Sequence, residues 1–302
     1  NQACPIGNNI VRSAYNGNIS ATTWTYGNKL NGYLYYYDSM NRLQSTYSII
    51  DSIWSDNLYT ESFYYDTQGN IIRLDRWDSH DLMNNLTLSY DGNQLISVDD
   101  DGYGSYLYAT KQYHDNSTLG NDFAYDANGN MLYDKDRGIA AIRYNLLNLP
   151  DTIQFTNGNQ IVNHYDAAGN RLITNYYTRK ITTTVPLGNV LTGTNSTSAS
   201  YITRDAFNNN IVYAANKNDP YGIEFVHNPE GFIRYYGPSE HYHFYHIKDH
   251  LGNIRETYIH PDANYKECVE RTQYYPSGLP WPERLSDSFT AHPWKYNGKE
   301  FV

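Results

Sequence analysis

Apolar and polar residues alternate in short runs along this chain, and each run is cut by turn-forming residues before a helical period develops. "SFYYD" (62–66) and, after a short gap, "IIRLDRWD" (71–78) read as strand, turn, strand. "YLYYYD" (33–38) and "YGSYLY" (103–108) place aromatic residues on both faces of extended segments. No segment sustains apolar residues at a spacing of 3.6, so the pattern predicts strands and no helix.

The cuts share a spelling. "YDTQGNII" (65–72), "YDANGNML" (125–132) and "YDAAGNRL" (165–172) repeat one motif, with the variants "YDSMNRL" (37–43), "YDGNQLI" (90–96) and "YNLLNLP" (144–150). Asp favours the first position of a type I turn, where its carboxylate accepts a backbone N–H. Glycine three residues later takes the left-handed conformation at no steric cost. Asp66 with Gly69, Asp126 with Gly129 and Asp166 with Gly169 are therefore expected at chain reversals. Asn41 would follow a turn without glycine in "YDSMNRL", and "YNLLNLP" lacks both Asp and Gly; Asn tolerates the left-handed region, so both can still turn. The spacing of the motif is irregular, as expected for hairpins whose distal loops vary in length.

Composition supports the same class. The 302 residues include 33 Tyr against 9 Phe and 3 Met, aromatics make up 16% and charged residues 18%. Tyr, Thr and Ile suit a pleated, half-buried surface. The fold class expected is all-β: successive YD-type β-hairpins forming a curved or spiralling antiparallel sheet, open rather than a closed shell. A formal charge of −10 with no basic run argues against nucleic acid as a partner. Apolar runs are too short for a helical membrane span. Cys4 and Cys268 are the two cysteines. A bridge between them would stabilise by about 4–5 kcal/mol on the chain-entropy model, and two free thiols are the other reading. "NQACPIG" reads as a processed or trimmed start, with an export signal peptide removed.

Three ordered motifs in the second half carry a family resemblance: "YHFYHIKDHLGNIRETYI" (242–259), "QYYPSGLPWP" (273–282) and "WKYNGKE" (294–300). Together with the Tyr-Asp repeats they resemble the RHS/YD-repeat family and its repeat-associated core, in a Bacteroidetes-like form. The resemblance implies successive hairpins that in long relatives enclose a C-terminal passenger. It implies that "DHLGN" is the same turn, with Asp249 and Gly252 in the motif positions. Ser277 stands where the resembled element has Phe. The family's self-cleaving aspartate site is expected beyond "YNGKE" and is not present in this chain. The organisation expected is YD hairpin repeats over 1–190, a Ser/Thr-rich connection over 191–200, within the longer run "TRKITTTVPLGNVLTGTNSTSAS" (178–200), and the core segment over 201–302.

Candidate chemistry is sparse. His241 and His243 project to one face of a strand and form a feasible metal-chelating pair, beside His246 and His250. The competing reading is that these imidazoles pack and fix turns. "DDDG" (99–102) offers hard oxygen ligands but lacks the alternation and distant Glu of a calcium loop. No nucleophile elbow, P-loop, dinucleotide fingerprint or C-x-x-C pair occurs. The expectation is a non-enzymatic scaffold or binding protein, secreted or on a bacterial cell surface, or the shell fragment of a larger secreted polymorphic protein. It needs no cofactor, and its partner would be another protein or a C-terminal passenger. Two alternatives stay open: a carbohydrate-binding module presenting Trp24, Trp54 and Trp77 to a glycan, and a metal-dependent hydrolase using the histidines of 241–250.

Overall fold

The computed structural model describes residues 4–6, 9–11, 15–26, 28–79, 81–104, 112–116, 120–179, 183–192, 196–204, 211–215, 222–237, 240–262 and 265–281. Among them every regular element is a strand, and all pairings are antiparallel. A small hairpin joins β1 (Cys4–Ile6) to β2 (Asn9–Val11). An 8-stranded sheet holds β3 (Ala21–Tyr26), β4 (Lys29–Tyr37), β5 (Leu43–Ile50), β6 (Ile53–Ser55), β7 (Glu61–Tyr65), β8 (Ile71–Trp77), β9 (Leu82–Asp91) and β10 (Gln94–Asp100). Its order follows the chain, with β6 pairing off the path against β5.

A 13-stranded sheet runs in strict sequence order. It comprises β11 (Phe123–Tyr125), β12 (Met131–Asp134), β13 (Ile139–Tyr144), β14 (Pro150–Phe155), β15 (Gln160–Tyr165), β16 (Arg171–Arg179), β17 (Ser196–Arg204), β18 (Ile211–Ala215), β19 (Gly222–Asn228), β20 (Gly231–Gly237), β21 (Glu240–Lys248), β22 (Ile254–Asp262) and β23 (Tyr265–Arg271). Neither sheet closes into a barrel: in each, the first and last strands have one neighbour. Compactness groups Asn1–Asp115 with Thr272–Leu285, and Asn116–Arg271 with Ser286–Val302.

The motif turns are built alike. In "YDTQGN" the Asp66 N–H donates to the Asn70 carbonyl at 3.0 Å, and Gly69, at φ +97°, donates to the Asp66 carbonyl at 3.3 Å. The Asp66 carboxylate then grips Asn70 twice: the Asn70 N–H donates to Oδ1 and its side-chain amide to Oδ2, both at 2.8 Å. Asp126 holds Asn130 at 2.9 and 2.9 Å, Asp166 holds Asn170 at 2.8 and 2.9 Å, and Asp249 holds Asn253 at 3.0 and 2.9 Å. Gly129, Gly169 and Gly252 all have positive φ, so each expected reversal is present. The two variant turns form as well. Asn41 (φ +65°) and Asn148 (φ +61°) take the left-handed position, Arg42 replaces the gripped Asn, and Asn145 replaces the gripping Asp.

These grips set the charge of the turns. The side-chain amide of Asn130 or Asn170 is the largest influence on Asp126 or Asp166, and it lowers the carboxyl below the ordinary range. Desolvation raises Asp66 and Asp249, but the hydrogen bonds from Asn70 and Asn253 and their neighbours outweigh it, so both end lowered.

A second interaction joins one hairpin to the next. Strand register shifts at the tyrosine before the turn, between Tyr36 and Tyr37, Tyr64 and Tyr65, Arg143 and Tyr144, and His164 and Tyr165. Such a bulge re-aims the side chain. The Tyr65 hydroxyl donates to the Leu43 carbonyl at 2.6 Å, Tyr90 to Ile71 at 2.9 Å, Tyr144 to Met131 at 2.9 Å and Tyr165 to Pro150 at 3.0 Å. Each acceptor is the first residue of the adjacent strand, just past the preceding turn. Tyr37 makes the equivalent bond to Ile19 at 2.9 Å, and Lys248 Nζ reaches Pro229 at 3.1 Å where no tyrosine precedes the turn. Phenylalanine could fill the same space but could not satisfy the carbonyl. Burial raises the Tyr65, Tyr144 and Tyr165 hydroxyls above the ordinary phenol value, which keeps them protonated donors at neutral pH.

The Ser/Thr-rich stretch departs from expectation. Residues 196–200, read from sequence as part of a connection, are the first half of β17 and pair with β16. Thr and Ser make acceptable strands once a neighbouring edge supplies hydrogen bonds. Upstream, Val185 is buried, and its N–H donates to the Thr156 carbonyl at 2.8 Å. Cys268 is a free thiol whose S–H donates to the Glu270 carbonyl at 3.3 Å, and burial raises its pKa.

Two outcomes are expected. Tyr65→Phe, Tyr144→Phe and Tyr165→Phe each lower stability by about 1 kcal/mol in denaturant unfolding. Tyr64→Phe, whose ring is exposed, stays within about 0.5 kcal/mol. Because the gripping aspartates have lowered folded-state pKa values, their stabilisation is complete above the unfolded carboxylate value of about 4 and is lost as pH falls through the folded values. Melting temperature should therefore be flat from neutral pH to about pH 5 and drop below about pH 4. An Asp126→Asn/Asp166→Asn variant should melt lower at pH 7 and show a shallower acid drop.

Candidate functional site

The first face of the 8-stranded sheet carries a polar row that sequence alternation alone would not place in a core. Glu61 on β7 stands opposite Arg76 on β8, and Arg76 stands opposite Asn84 on β9. Glu61 and Asn84 are fully buried and Arg76 nearly so. Buried polar groups require partners, and these have them. Arg76 Nε donates to Glu61 Oε1 at 2.7 Å and its Nη1 to Asn84 Oδ1 at 3.0 Å. The Asn84 amide donates to Asp100 Oδ2 at 2.7 Å. Asp100 Oδ1 accepts the Asn85 and Gly102 N–H groups at 2.8 and 2.9 Å, so the "DDDG" stretch orders its own turn.

The row is covered by residues far away in sequence. Residues 273–281 reverse direction: Tyr275 N–H donates to the Leu279 carbonyl at 2.8 Å and Gly278, at φ +96°, to the Tyr275 carbonyl at 2.9 Å. Pro276 pre-sets the first turn position. This is the backbone frame of the Tyr-Asp turns, with Tyr275 in the Asp position. The Ser277 N–H donates to Glu61 Oε2 at 2.9 Å and its hydroxyl to Glu61 Oε1 at 2.6 Å. Ser277 thus hydrogen-bonds the carboxylate where the resembled element has a phenyl ring. The Tyr275 hydroxyl donates to the Trp77 carbonyl at 2.9 Å, and Arg76 lies 5.5 Å from the Tyr275 ring centroid.

An aromatic cluster completes the closure. Tyr33, Met83, Tyr275 and Trp281 are buried together, with Trp24, Tyr35, Ile50, Tyr59 and Leu279 packed around them. The Trp281 ring stacks on Tyr59 at 4.1 Å and 9°, and meets Tyr33 edge-on at 6.2 Å. Its indole N–H donates to the Tyr33 hydroxyl at 2.7 Å, which donates to the Tyr59 carbonyl at 2.9 Å. Tyr59 has φ +52°, a conformation that costs a bulky residue about 1–2 kcal/mol. The stacked indole and the hydrogen bond to its carbonyl hold it there. Burial raises the Tyr33 and Tyr275 hydroxyls well above the ordinary phenol value, so both remain donors.

Chemically this arrangement clamps a segment. The Ser277 hydroxyl is tied between Glu61 Oε1, to which it donates at 2.6 Å, and Arg76 Nη2, which donates to it at 3.3 Å. Both carboxylate oxygens of Glu61 are engaged with Arg76 or Ser277.

The residues singled out from sequence are dispersed, with Trp24 alone among them packed in the aromatic cluster. Trp24 on β3, Trp54 on β6 and Trp77 on β8 are half-buried on three different strands. Trp24 packs 5.8 Å from Tyr33 and 6.4 Å from Trp281. His241 and His243 share the exposed face of β21, with ring centroids 5.7 Å apart. His246 faces the other way, 5.5 Å from the Phe232 ring and bonded to the Thr257 hydroxyl at 3.2 Å. That opposite face builds a core from Val212, Phe225, Phe232, Phe244 and Ile259. Among the described residues no three His, Cys, Asp or Glu side chains converge to hold a metal.

No family model matches the chain, and no curated protein matches it. Solved structures do. A chain of the Photorhabdus luminescens Tc holotoxin pore is 11% identical over 89% of this chain, with a TM-score of 0.35 and 18% of its own length covered. A chain of the TcdB2-TccC3 crystal structure is 12% identical over 83%, with a TM-score of 0.30 and 16% covered. A chain of the TcdB2-TccC3-Cdc42 structure is 12% identical over 83%, with a TM-score of 0.31 and 15% covered. This chain spans less than a fifth of each of those chains.

Removing the clamp should be costly. Glu61→Ala leaves a buried guanidinium without its partner and is expected to destabilise by about 3–5 kcal/mol. Trp281→Ala should cost about 3–5 kcal/mol and Ser277→Ala about 1–3 kcal/mol. In denaturant unfolding, the Glu61→Ala/Ser277→Ala double variant should lose less than the sum of the two single losses, because both act on one contact. Full additivity would show that Ser277 does not act through Glu61.

Proposed function

We propose that this protein is a non-enzymatic scaffold, exported to the exterior of a bacterial cell, whose hairpin sheets hold or enclose a protein partner. One observation carries the reading. Of the polar side chains best placed for chemistry, Glu61, Arg76 and Ser277 close the 273–281 segment onto its sheet, while Asn84 holds Arg76 and Asp100 holds Asn84. The gripping aspartates likewise serve the turns. A low share of charged residues, abundant tyrosine and the RHS-like motif order agree with a scaffold.

The partner in this reading is a polypeptide, either a separate protein or a passenger encoded next to this chain. Co-expression with the product of the adjacent downstream reading frame tests it. The expected result is a stable stoichiometric complex on size-exclusion chromatography, recovered from the culture medium or the cell surface on fractionation. Turnover of a peptide, ester or glycoside substrate that is abolished by Ser277→Ala or His243→Ala, with the fold intact by circular dichroism, would overturn it.

A further inference from the structure

Two neighbouring tyrosines on the 8-stranded sheet serve neither the turns nor the clamp. Around them on β4, the Tyr33 hydroxyl donates to the Tyr59 carbonyl at 2.9 Å and Tyr37 to the Ile19 carbonyl at 2.9 Å. Tyr35 shares a hydrogen bond with the Thr22 hydroxyl at 3.0 Å. Tyr36 on β4 and Tyr47 on β5 are 44% and 38% exposed, and among the described residues neither hydroxyl has a hydrogen-bond partner.

The register sets them side by side. Tyr36 stands opposite Ser45, two residues before Tyr47. Directly opposed residues share a face, as do residues two apart on a strand, so Tyr36 and Tyr47 are diagonal neighbours on one face. Tyr35 and Thr46, the residues beside them, are paired on the opposite face, which carries the aromatic cluster. The Tyr36 and Tyr47 ring centroids are 5.2 Å apart with 63° between the planes, the shortest separation of a tyrosine pair among the described residues. Tyr33 and Tyr275 close the Tyr33–Tyr35 and Tyr59–Tyr275 pairs off from solvent by burial. In the Tyr236–Tyr242 pair, at 5.7 Å, the Tyr242 hydroxyl donates to Glu240 at 3.2 Å.

Exposed phenols in contact are poised for oxidative coupling. An activated peroxide takes one hydrogen atom from each hydroxyl, leaving two phenoxyl radicals whose unpaired electrons spread to the ring carbons beside the C–O carbon. Those carbons bond to one another, the hydrogens they carried move to the phenolic oxygens, and both rings regain aromaticity. The peroxide is reduced to water, and the chain loses two hydrogens. Rings joined in this way are twisted out of a common plane. The tilted contact of Tyr36 with Tyr47 leads toward that product, unlike a parallel stack such as Tyr59 on Trp281.

We propose that Tyr36 and Tyr47 are a site of oxidative dityrosine cross-linking, formed when this exposed face meets hydrogen peroxide and a haem peroxidase. The bond joins β4 to β5 across the "YDSMNRL" reversal, where Asn41 at φ +65° holds the position that glycine takes in the full motif. Like a disulfide, it restricts the unfolded chain, and it does so at a turn that lacks the motif's glycine.

Treatment of the dilute full chain with a haem peroxidase and hydrogen peroxide, followed by tryptic mapping of the monomeric fraction, tests the proposal. Trypsin cuts after Lys29, Arg42 and Arg73, so the two tyrosines fall on separate peptides, 30–42 and 43–73. The expected product is these peptides linked, lighter than their sum by two hydrogens, with dityrosine fluorescence and with fragmentation placing the bond at Tyr36 and Tyr47. Tyr36→Phe and Tyr47→Phe should each abolish it. Tyr64→Phe, whose exposed ring lies against Arg73 on the neighbouring strands, should leave its yield unchanged. Circular dichroism confirms that each variant is folded. Absence of the linked peptides from the monomer, a bond placed at another tyrosine pair within them, or an undiminished yield in Tyr36→Phe or Tyr47→Phe would overturn the site.

Discussion

The fold depends on a carboxylate that seizes the residue four places ahead of it. An isolated two-stranded hairpin is at best marginal in water, and a reversal leaves backbone N–H groups that need acceptors. Asp66, Asp126, Asp166 and Asp249 meet both needs, each taking a backbone N–H and a side-chain amide from one asparagine. The tyrosine just before two of those aspartates belongs to the same machinery. In Tyr65 and Tyr165 its hydroxyl reaches the carbonyl that follows the previous turn, so one hairpin is tied to the next. Tyr37, Tyr90 and Tyr144 make the same tie, a role that phenylalanine could not fill.

The geometry is more constant than the chemistry. Arg42 replaces the gripped asparagine, Asn145 the gripping aspartate, and Lys248 the tying tyrosine. The 273–281 reversal uses the same backbone frame for another purpose, presenting Ser277 and Tyr275 to a buried Glu61–Arg76 pair. Removing one partner of such a pair is costly because the other charge stays buried. The closure therefore specifies where the segment docks more than it adds net stability.

The hairpins were legible because their signals are local. Asp and Gly sit three residues apart, and each has a mechanical reason to be there. Asn70, Asn130 and Asn170 stood beside those glycines, yet the side-chain amide's bond to the carboxylate is invisible without coordinates. The tyrosine ties were hinted at only by the excess of Tyr over Phe. The clamp was not legible: Glu61 and Ser277 lie more than two hundred residues apart in sequence, and such pairings are fixed by packing. Nothing in "TESFYYD" distinguishes a buried glutamate from a solvent-facing one. Residues 196–200 were misread because Ser and Thr follow the edge they find, and here that edge is β16.

Tying successive turns by carboxylate and hydroxyl makes the turns part of the sheet rather than loops attached to it. Residue-resolved amide hydrogen exchange in the native state tests that claim most directly. The account predicts that the N–H groups of Asn70, Asn130, Asn170 and Asn253 exchange as slowly as those of the flanking strands. Exchange at the rate of free loops, while the strands stay protected, would contradict it.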